Sequence, residues 1–173
     1  MTQYIYGKNT VIESLKGNKP VYEVYLMKNA KDDKVLSLAK AKNVKVHIVR
    51  HKDELTKLVG SVVHQGIVAA IESYRYYSLD EMIQAIPKGK QPLLVMLDGL
   101  EDPHNLGAIL RTCDAIEVDG VIIGKKRSVS LSPTVAKVST GAIDHVKVAQ
   151  VTNLSRTLDE LKKSIKDRLE KDA

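Results

Sequence analysis

The polar side chains of this sequence that are best placed to do chemistry are an asparagine and an arginine. Asn105 follows a polar turn at residues 98–103, and Arg111 comes six residues later on a predicted helix. A guanidinium stays charged and its planar fork matches the oxygens of a phosphate, whereas an amide both donates and accepts hydrogen bonds. The alternative is that Asn105 is only a helix cap and Arg111 only a solvated surface charge.

The elements that must position this pair are a strand, a turn and a helix. Residues 93–97 form an apolar run of strand length, and Asp98-Gly99 and Asp102-Pro103 are turn dipeptides. The predicted helix has Asn105 as its N-cap, and its apolar residues at helical spacing are Leu106, Ile109, Leu110, Cys113 and Ile116. A second strand is predicted at residues 121–123.

Composition indicates a globular protein of one ordinary domain or two small ones. The chain has 173 residues, of which 43% are hydrophobic and 28% charged, and this balance argues against intrinsic disorder. No apolar stretch approaches the ~20 residues of a membrane span, and we expect no signal peptide. The single cysteine, Cys113, excludes an intrachain disulfide, fits a reducing cytoplasm and is predicted to pack in the core.

Charge is distributed unevenly along the chain. Residues 1–90 carry 15 Lys and Arg against 9 Asp and Glu, whereas residues 91–173 carry 12 of each. A basic first half and a neutral second half suggest that the first half holds a polyanion. The alternative is that these lysines only make helix faces soluble.

Hydrophobic periodicity predicts an α/β protein. In the first half, helices are predicted at residues 7–16, 31–42 and 52–59, and strands at 22–27, 44–49 and 67–71, which form a small mixed or parallel sheet. Residues 74–91 are predicted as a linker, and its cluster Tyr74-Arg75-Tyr76-Tyr77 either stacks unpaired bases or packs a domain joint. After the basic segment 125–127, we predict a helix that starts at Ser132-Pro133, a strand at 145–151 and a helix capped by Asn153.

Common cofactor motifs are not found in the sequence. The pair His47 and His51 lacks a cysteine or carboxylate partner at ligand spacing, so we expect no metal site. There is neither a P-loop nor a GxGxxG run, which leaves ATP or NAD binding of those types without support.

The run "LDGLEDPHNLGAILRT" at residues 97–112 resembles the first motif of the SpoU/TrmH family of RNA ribose 2′-O-methyltransferases, members of the SPOUT superfamily. The run "VIIGKKRSVSLSPTVAKVSTGAIDHVKV" at residues 121–148 resembles the second motif. Residues 4–72, from "YIYGKNTVIESLK" to "VHQGIVAAIE", resemble the small RNA-binding domain of the branch that methylates guanosine in bacterial 23S rRNA. The resemblance implies a ribosomal-protein-L30e-like domain at residues 1–73, a linker at 74–91 and a SPOUT-type parallel-sheet domain at 92–173.

The resemblance also implies the function and the site. It implies methyl transfer from S-adenosylmethionine to a ribose 2′-hydroxyl of ribosomal RNA, carried out by a homodimer. Arg111 would bind the adjacent phosphate or favour the ionised hydroxyl, and Asn105 would orient the nucleotide. Glu101 and Asp144 are possible supporting carboxylates, with Asp144 in the place of a family glutamate. The residues expected to bind RNA are Lys8, Lys16, Lys19, Arg50 and Arg75.

The sequence departs from the family pattern near residue 161. Relatives continue with a third motif that completes a deep trefoil knot and supplies most of the S-adenosylmethionine pocket, whereas this sequence reads "LDELKKSIKDRLEKDA". We therefore expect a methyltransferase domain truncated before the knot, with unknown cofactor-binding residues. The alternative function is that of an RNA-binding fragment without catalysis.

Overall fold

The computed structural model describes residues 1–60 and 63–172, and it divides into two compact units, Met1–Tyr74 and Arg75–Ala173. Both units combine helices with a sheet, as the α/β prediction required. Within the described residues, no helix is long and apolar enough to cross a membrane.

The first unit is built on a mixed sheet of four strands in the order β1-β4-β2-β3. β2 and β3 are parallel, and β4 is antiparallel to both β1 and β2. The elements are β1 (Thr2–Tyr6), α1 (Lys8–Lys16), β2 (Val21–Met27), a 3-10 turn (Lys28–Ala30), α2 (Asp33–Ala41), β3 (Lys45–Val49), α3 (Lys52–Val59) and β4 (Ile67–Glu72). The sequence prediction missed β1, because only Ile5 of this edge strand is buried and no apolar run marks it.

Helices cover both faces of this sheet. α1 and α2 pack on one face, where Val11, Leu15 and Val35 join the buried residues of the strands. α3 packs on the other face through Leu55, which contacts Val49 and Val68. Burial of these branched side chains is the main stabilising contribution to the unit.

The second unit contains a parallel sheet of three strands in the order β5-β6-β7. Its elements are α4 (Leu79–Gln84), β5 (Leu94–Leu97), α5 (Pro103–Ala115), β6 (Gly120–Gly124), α6 (Pro133–Ser139), α7 (Ala142–His145), β7 (Val148–Val151) and α8 (Leu154–Asp172). The prediction of a parallel-sheet second half is confirmed.

Three local predictions in this unit were wrong. α5 begins at Pro103 with Asp102 as its N-cap, so Asn105 lies inside the first turn. Ile116 is 57% exposed, since the helix ends at Ala115. The strand predicted at 145–151 starts only at Val148, because the preceding residues form α7.

The segment predicted as a linker, residues 74–91, belongs to the second unit from Arg75 onward. It contains α4, whose Met82 is fully buried against Ile122 and Leu161. Gly120 makes room for this side chain, since a Cβ at residue 120 would lie 2.1 Å from the Met82 sulfur. The segment is therefore part of the core of the unit.

Gly107 allows α5 and α6 to approach closely. A Cβ at residue 107 would lie 2.6 Å from the Cβ of Val138 and 3.1 Å from the backbone nitrogen of Ser139. The predicted core position of Cys113 on the same helix is confirmed.

We predict that Gly107→Ala lowers the free energy of unfolding by about 1–3 kcal/mol, because the added methyl overpacks the α5–α6 contact. Urea unfolding followed by circular dichroism measures the change. Helix propensity alone would give the opposite sign, a gain of about 1 kcal/mol. Combining the substitution with Val138→Ala serves as the control, since it should recover part of the loss, and a stabilised single variant would refute the packing argument.

Asp32 connects α1 and α2 in the first unit. Its carboxylate accepts hydrogen bonds from the backbone nitrogens of Lys34 and Val35 at the start of α2, and its second oxygen lies 2.6 Å from Lys8 Nζ. The Lys8 ammonium, together with the Val35 N–H, lowers the pKa of Asp32 below its ordinary value.

We predict that Asp32→Asn costs about 0.5 kcal/mol of unfolding free energy at neutral pH, since it keeps the cap and loses the ion pair. Asp32→Ala should cost about 1–2 kcal/mol, since it loses both. Because folding favours the ionised carboxylate, this contribution is present above the ordinary carboxyl pKa and is lost as the pH falls below it. Thermal unfolding scans from pH 7 to pH 2 should show the wild-type and Asn chains converging, and a constant difference would contradict the assignment.

Candidate functional site

The carboxyl ends of the three parallel strands in the second unit lie at the same edge of the sheet. β5 ends at Leu97, β6 at Gly124 and β7 at Val151. Ligands of open α/β sheets bind outside this edge, so the loops that follow the strands are the first place to look for a site.

Backbone hydrogen bonds join these loops. Val129 N–H donates to the Leu100 carbonyl at 2.7 Å, which ties the loop after β6 to the loop after β5. Lys125 N–H donates to the Val151 carbonyl at 2.9 Å, which ties the same loop to the end of β7. The two sequence runs that were singled out above, 97–112 and 121–148, therefore meet at one edge of the sheet.

The loop after β6 presents three cations. Lys125, Lys126 and Arg127 are exposed, and Arg127 adopts a left-handed backbone conformation with φ 49°. On the opposite side of the loop contact, Glu101 and Asp98 are exposed carboxylates. The edge can therefore attract a polyanion through the basic segment 125–127 while it keeps carboxylates near the start of α5.

Two residues of this edge were not foreseen from the sequence. The Ser128 hydroxyl is buried and has no hydrogen-bond partner within the part of the chain that the structure describes. The Tyr76 hydroxyl accepts the Leu131 N–H at 2.8 Å, and burial raises the pKa of this tyrosine. The tyrosine cluster was a visible signal for Tyr76, but which loop it would contact depends on the tertiary structure.

The structure leaves Asn105 and Arg111 exposed on α5 and does not bring their side chains together. They are six residues apart, which in an α-helix is about 9 Å of rise and about 120° of rotation. Neither side chain has a hydrogen-bond or ion-pair partner among residues 1–60 and 63–172. The N-cap function predicted for Asn105 belongs to Asp102, whose carboxylate accepts the His104 N–H at 2.8 Å. Both side chains are thus available to a ligand, but from different sides of the helix.

The two supporting carboxylates lie in different places. Glu101 is exposed in the loop before α5, at the carboxyl edge of the sheet. Asp144 is exposed on α7, and the next residue, His145, places its Nδ1 3.3 Å from an Asp114 carboxylate oxygen near the end of α5. Because α5 runs back toward the amino edge of the sheet, Asp144 is remote from the loop that holds Glu101.

The cations predicted to bind RNA lie in both units. Four of them lie at two opposite edges of the first sheet, and Arg75 lies in the second unit. Lys8 and Arg50 follow β1 and β3 at the carboxyl edge, and Lys8 is paired with Asp32. Lys16 and Lys19 lie at the opposite edge, where the Lys19 ammonium is 3.4 Å from Glu72 and 4.5 Å from the Tyr74 ring centroid. In the second unit, Arg75 stacks on Tyr77 and pairs with Glu81 at 3.2 Å. Within the first unit, the predicted cations therefore do not form one patch.

A cavity of about 700 Å³ in the second unit lies between the sheet and α8. Its walls are mainly apolar, with Leu94, Met96 and Ile122 from the sheet and Leu161 and Ile165 from α8. Within the described residues, no cluster of His, Cys, Asp or Glu could hold a metal ion.

Comparison with known proteins finds one family match in each half of the chain. Residues 92–169 match the SpoU rRNA Methylase family, and residues 4–77 match the family described as RNA 2′-O ribose methyltransferase substrate binding.

The chain spans about two thirds of the length of the curated relatives that it matches. "Putative TrmH family tRNA/rRNA methyltransferase YacO" of Bacillus subtilis (strain 168) is 45% identical over 163 residues, which cover 92% of this chain and 65% of the relative. A TrmH-family protein of Staphylococcus aureus (strain COL), named in the same way, is 44% identical over 161 residues, or 91% and 64% of the two chains. Among solved structures, the SpoU methyltransferase AviRb from Streptomyces viridochromogenes, in complex with the cofactor AdoMet, is 19% identical with a TM-score of 0.48, and the match covers 94% of this chain and 60% of AviRb. The two segments are thus each similar to a family of RNA methyltransferases, residues 92–169 to the SpoU rRNA Methylase family and residues 4–77 to the substrate-binding family of RNA 2′-O ribose methyltransferases.

Proposed function

We propose that this chain takes part in methylation of a ribose 2′-hydroxyl in ribosomal RNA, with the first unit binding the RNA and the second holding the target nucleotide. The observation that carries the proposal is the meeting of the loops after β5 and β6, tied by the Val129–Leu100 hydrogen bond, beside the basic segment 125–127. A polyanion attracted to this edge reaches the loop that leads into α5, the helix of Arg111.

On the RNA side, the reaction needs a hydroxyl held in line with the incoming methyl group and a cation near the developing oxyanion. Arg111 is suited to the second task, because it is exposed and no carboxylate neutralises it within the described residues. A guanidinium keeps its proton, so we assign Arg111 to phosphate binding and charge stabilisation, and the hydroxyl proton leaves by another route. Asn105 is about 9 Å from Arg111 along α5 and on another side of the helix, so it would orient the nucleotide by contacting a different part of it, with Glu101 one turn earlier as a supporting carboxylate.

We propose S-adenosylmethionine as the methyl donor, in line with the resemblance of residues 97–112 and 121–148 to the family motifs. The cavity against α8 does not by itself supply the polar groups that this donor needs. The large cavity is lined mainly by apolar side chains, whereas this donor carries a charged amino acid and a ribose diol that need polar partners.

The finer assignments follow from the same resemblance and remain part of the proposal. They are a guanosine of 23S rRNA as the target, the cytoplasm as the compartment and a homodimer formed through the second unit.

We predict that Arg111→Ala lowers the rate of methyl transfer by about 100-fold or more, the range seen when a group that stabilises charge in the transition state is removed. The affinity for RNA should change less than about threefold, since one phosphate contact of many is lost. The assay follows radiolabelled methyl from S-adenosylmethionine into rRNA. Resistance of the modified site to alkaline cleavage identifies the ribose 2′-oxygen as the acceptor.

Lys163→Ala is the matched control, because it removes an exposed cation from α8 and should leave the rate unchanged. An equal loss of rate and RNA affinity in the Arg111 variant would make this arginine an RNA anchor. Methylated product that remains sensitive to alkali would contradict ribose methylation.

We also predict that the double variant Lys125→Gln/Lys126→Gln makes RNA binding less dependent on salt. Each lost phosphate contact should reduce the slope of log affinity against log salt by about 0.7–0.9. Filter binding over a range of KCl concentrations measures the slope. A slope equal to that of the wild type would show that the RNA backbone does not contact the basic segment.

A further inference from the structure

The carboxyl edge of the first unit contains a cavity of about 330 Å³ that no assignment above explains. β1, β2 and β3 run in the same direction, and β4 runs against them, so the ends of the first three strands meet the start of β4 at this edge. The cavity opens between the 3-10 turn after β2, the start of α3 and the residues before β4. We call it the loop-edge cavity.

The loop-edge cavity has an apolar side and a polar side. Met27 and Ala30 supply apolar surface, whereas the exposed side chains of Asn29 and Lys52 supply an amide and an ammonium. Its volume falls at the lower end of the range of about 300–1,000 Å³ that small-ligand pockets occupy. Such a lining suits a flat heterocycle with hydrogen-bonding edges that is attached to an anion.

His64 joins the turn before β4 to α3 beside the cavity. This imidazole is fully buried, and its Nδ1 accepts the Gly66 N–H at 3.0 Å. The ring proton therefore lies on Nε2, which is 3.2 Å from Thr56 Oγ1, and that hydroxyl donates to the Lys52 carbonyl. One buried side chain thus connects the turn before β4 to the start of α3.

The turn before β4, which contains Gly66, packs closely against the 3-10 turn after β2. Gly66 has φ +74°, and a Cβ at this residue would lie 2.6 Å from the Ala30 Cβ. Its carbonyl accepts the Met27 N–H at 2.8 Å, and the Gln65 side chain accepts the Lys8 N–H at the start of α1. The cavity is therefore preorganised, which reduces the entropy lost when a ligand binds.

Further exposed cations lie at the same edge of the sheet. Lys28 and Lys31 lie at the end of β2, and Arg50 follows β3. All three side chains are exposed, and they complement the phosphates on either side of a bound nucleotide.

We propose that the loop-edge cavity binds one unstacked nucleotide of the RNA substrate, with Lys52 on its phosphate and Asn29 on the edge of its base. The proposal rests on the proposed function in that it takes the ligand to be RNA. Unpaired bases in loops and bulges expose the edges that amides recognise, whereas a duplex hides them. The cavity would therefore make the first unit prefer RNA with an unpaired loop over a continuous duplex.

The test compares the binding of an RNA hairpin with an unpaired loop and of a blunt duplex with the same stem, both to the full chain. Lys52→Gln should weaken hairpin binding by about tenfold, as expected for loss of a charge-assisted phosphate contact in a built site. Asn29→Ala should weaken hairpin binding by about three- to tenfold and leave duplex binding unchanged, because it removes only base recognition. Lys45→Gln is the matched control, because this exposed lysine starts β3 at the opposite edge of the sheet, and it should change hairpin affinity by less than about twofold.

Several outcomes would overturn the proposal. Hairpin binding unaffected by Asn29→Ala, or an equal loss for hairpin and duplex, would show that the cavity does not read a base. Displacement of the hairpin by polyglutamate from wild type and Asn29→Ala with the same efficiency would indicate a general anion site. Methyl transfer plays no part in these measurements, so a selective loss of hairpin binding supports the cavity even if the chain transfers no methyl group.

Discussion

The parallel pairing of β6 with both β5 and β7 is the constraint on which the second unit depends. Leu97 pairs with Ile123, and Ile123 pairs with Gln150, so all three strands end at the same level of the sheet. In a parallel sheet, strand direction alone decides which loops become neighbours. The loops after β5 and β6 are therefore neighbours, and Val129 N–H donates a hydrogen bond to the Leu100 carbonyl although nearly thirty residues separate the two residues in sequence.

Helix α5 transmits this constraint to the candidate site residues. Asp102 starts the helix at the carboxyl edge, and Leu106, Leu110 and Cys113 bury one side of it. Gly107 then lets α6 approach so closely that the orientation of α5 has little freedom. Because the buried side of α5 packs in the core, Asn105 and Arg111 on its other sides stay exposed. Their distance from each other follows from helical geometry.

The first unit uses a different device to build a binding edge. Antiparallel β4 lies between β1 and β2, so the turn that precedes it meets the ends of strands that run the other way. Both ring nitrogens of His64 have hydrogen-bond partners, Gly66 N–H in this turn and the Thr56 hydroxyl in α3. A buried polar side chain whose groups are all hydrogen-bonded loses little free energy on burial. Both units thus have cationic loops at one edge of a sheet, but the sheet is mixed in the first unit and parallel in the second.

The sequence by itself determined the class of the fold and most of its elements. Apolar runs at 67–71 and 121–123 fill buried strands, and the cap residues Ser132 and Asn153 start helices as predicted, because these signals act within a few residues of each other. Edge strand β1 was not predicted, because only Ile5 of this strand is buried. The N-cap of α5 was predicted three residues too late, because both Asp102 and Asn105 are good capping residues.

Only the tertiary structure decided which charged residues share a surface. Lys8 and Arg50 lie at one edge of the first sheet and Lys16 and Lys19 at the other, a division that depends on strand direction and not on spacing. The buried Ser128 hydroxyl, the Tyr76–Leu131 bond and the loop-edge cavity likewise arise from contacts between segments far apart in the chain. Local sequence patterns encode the elements, whereas the site is a product of long-range packing, which no short window of sequence contains.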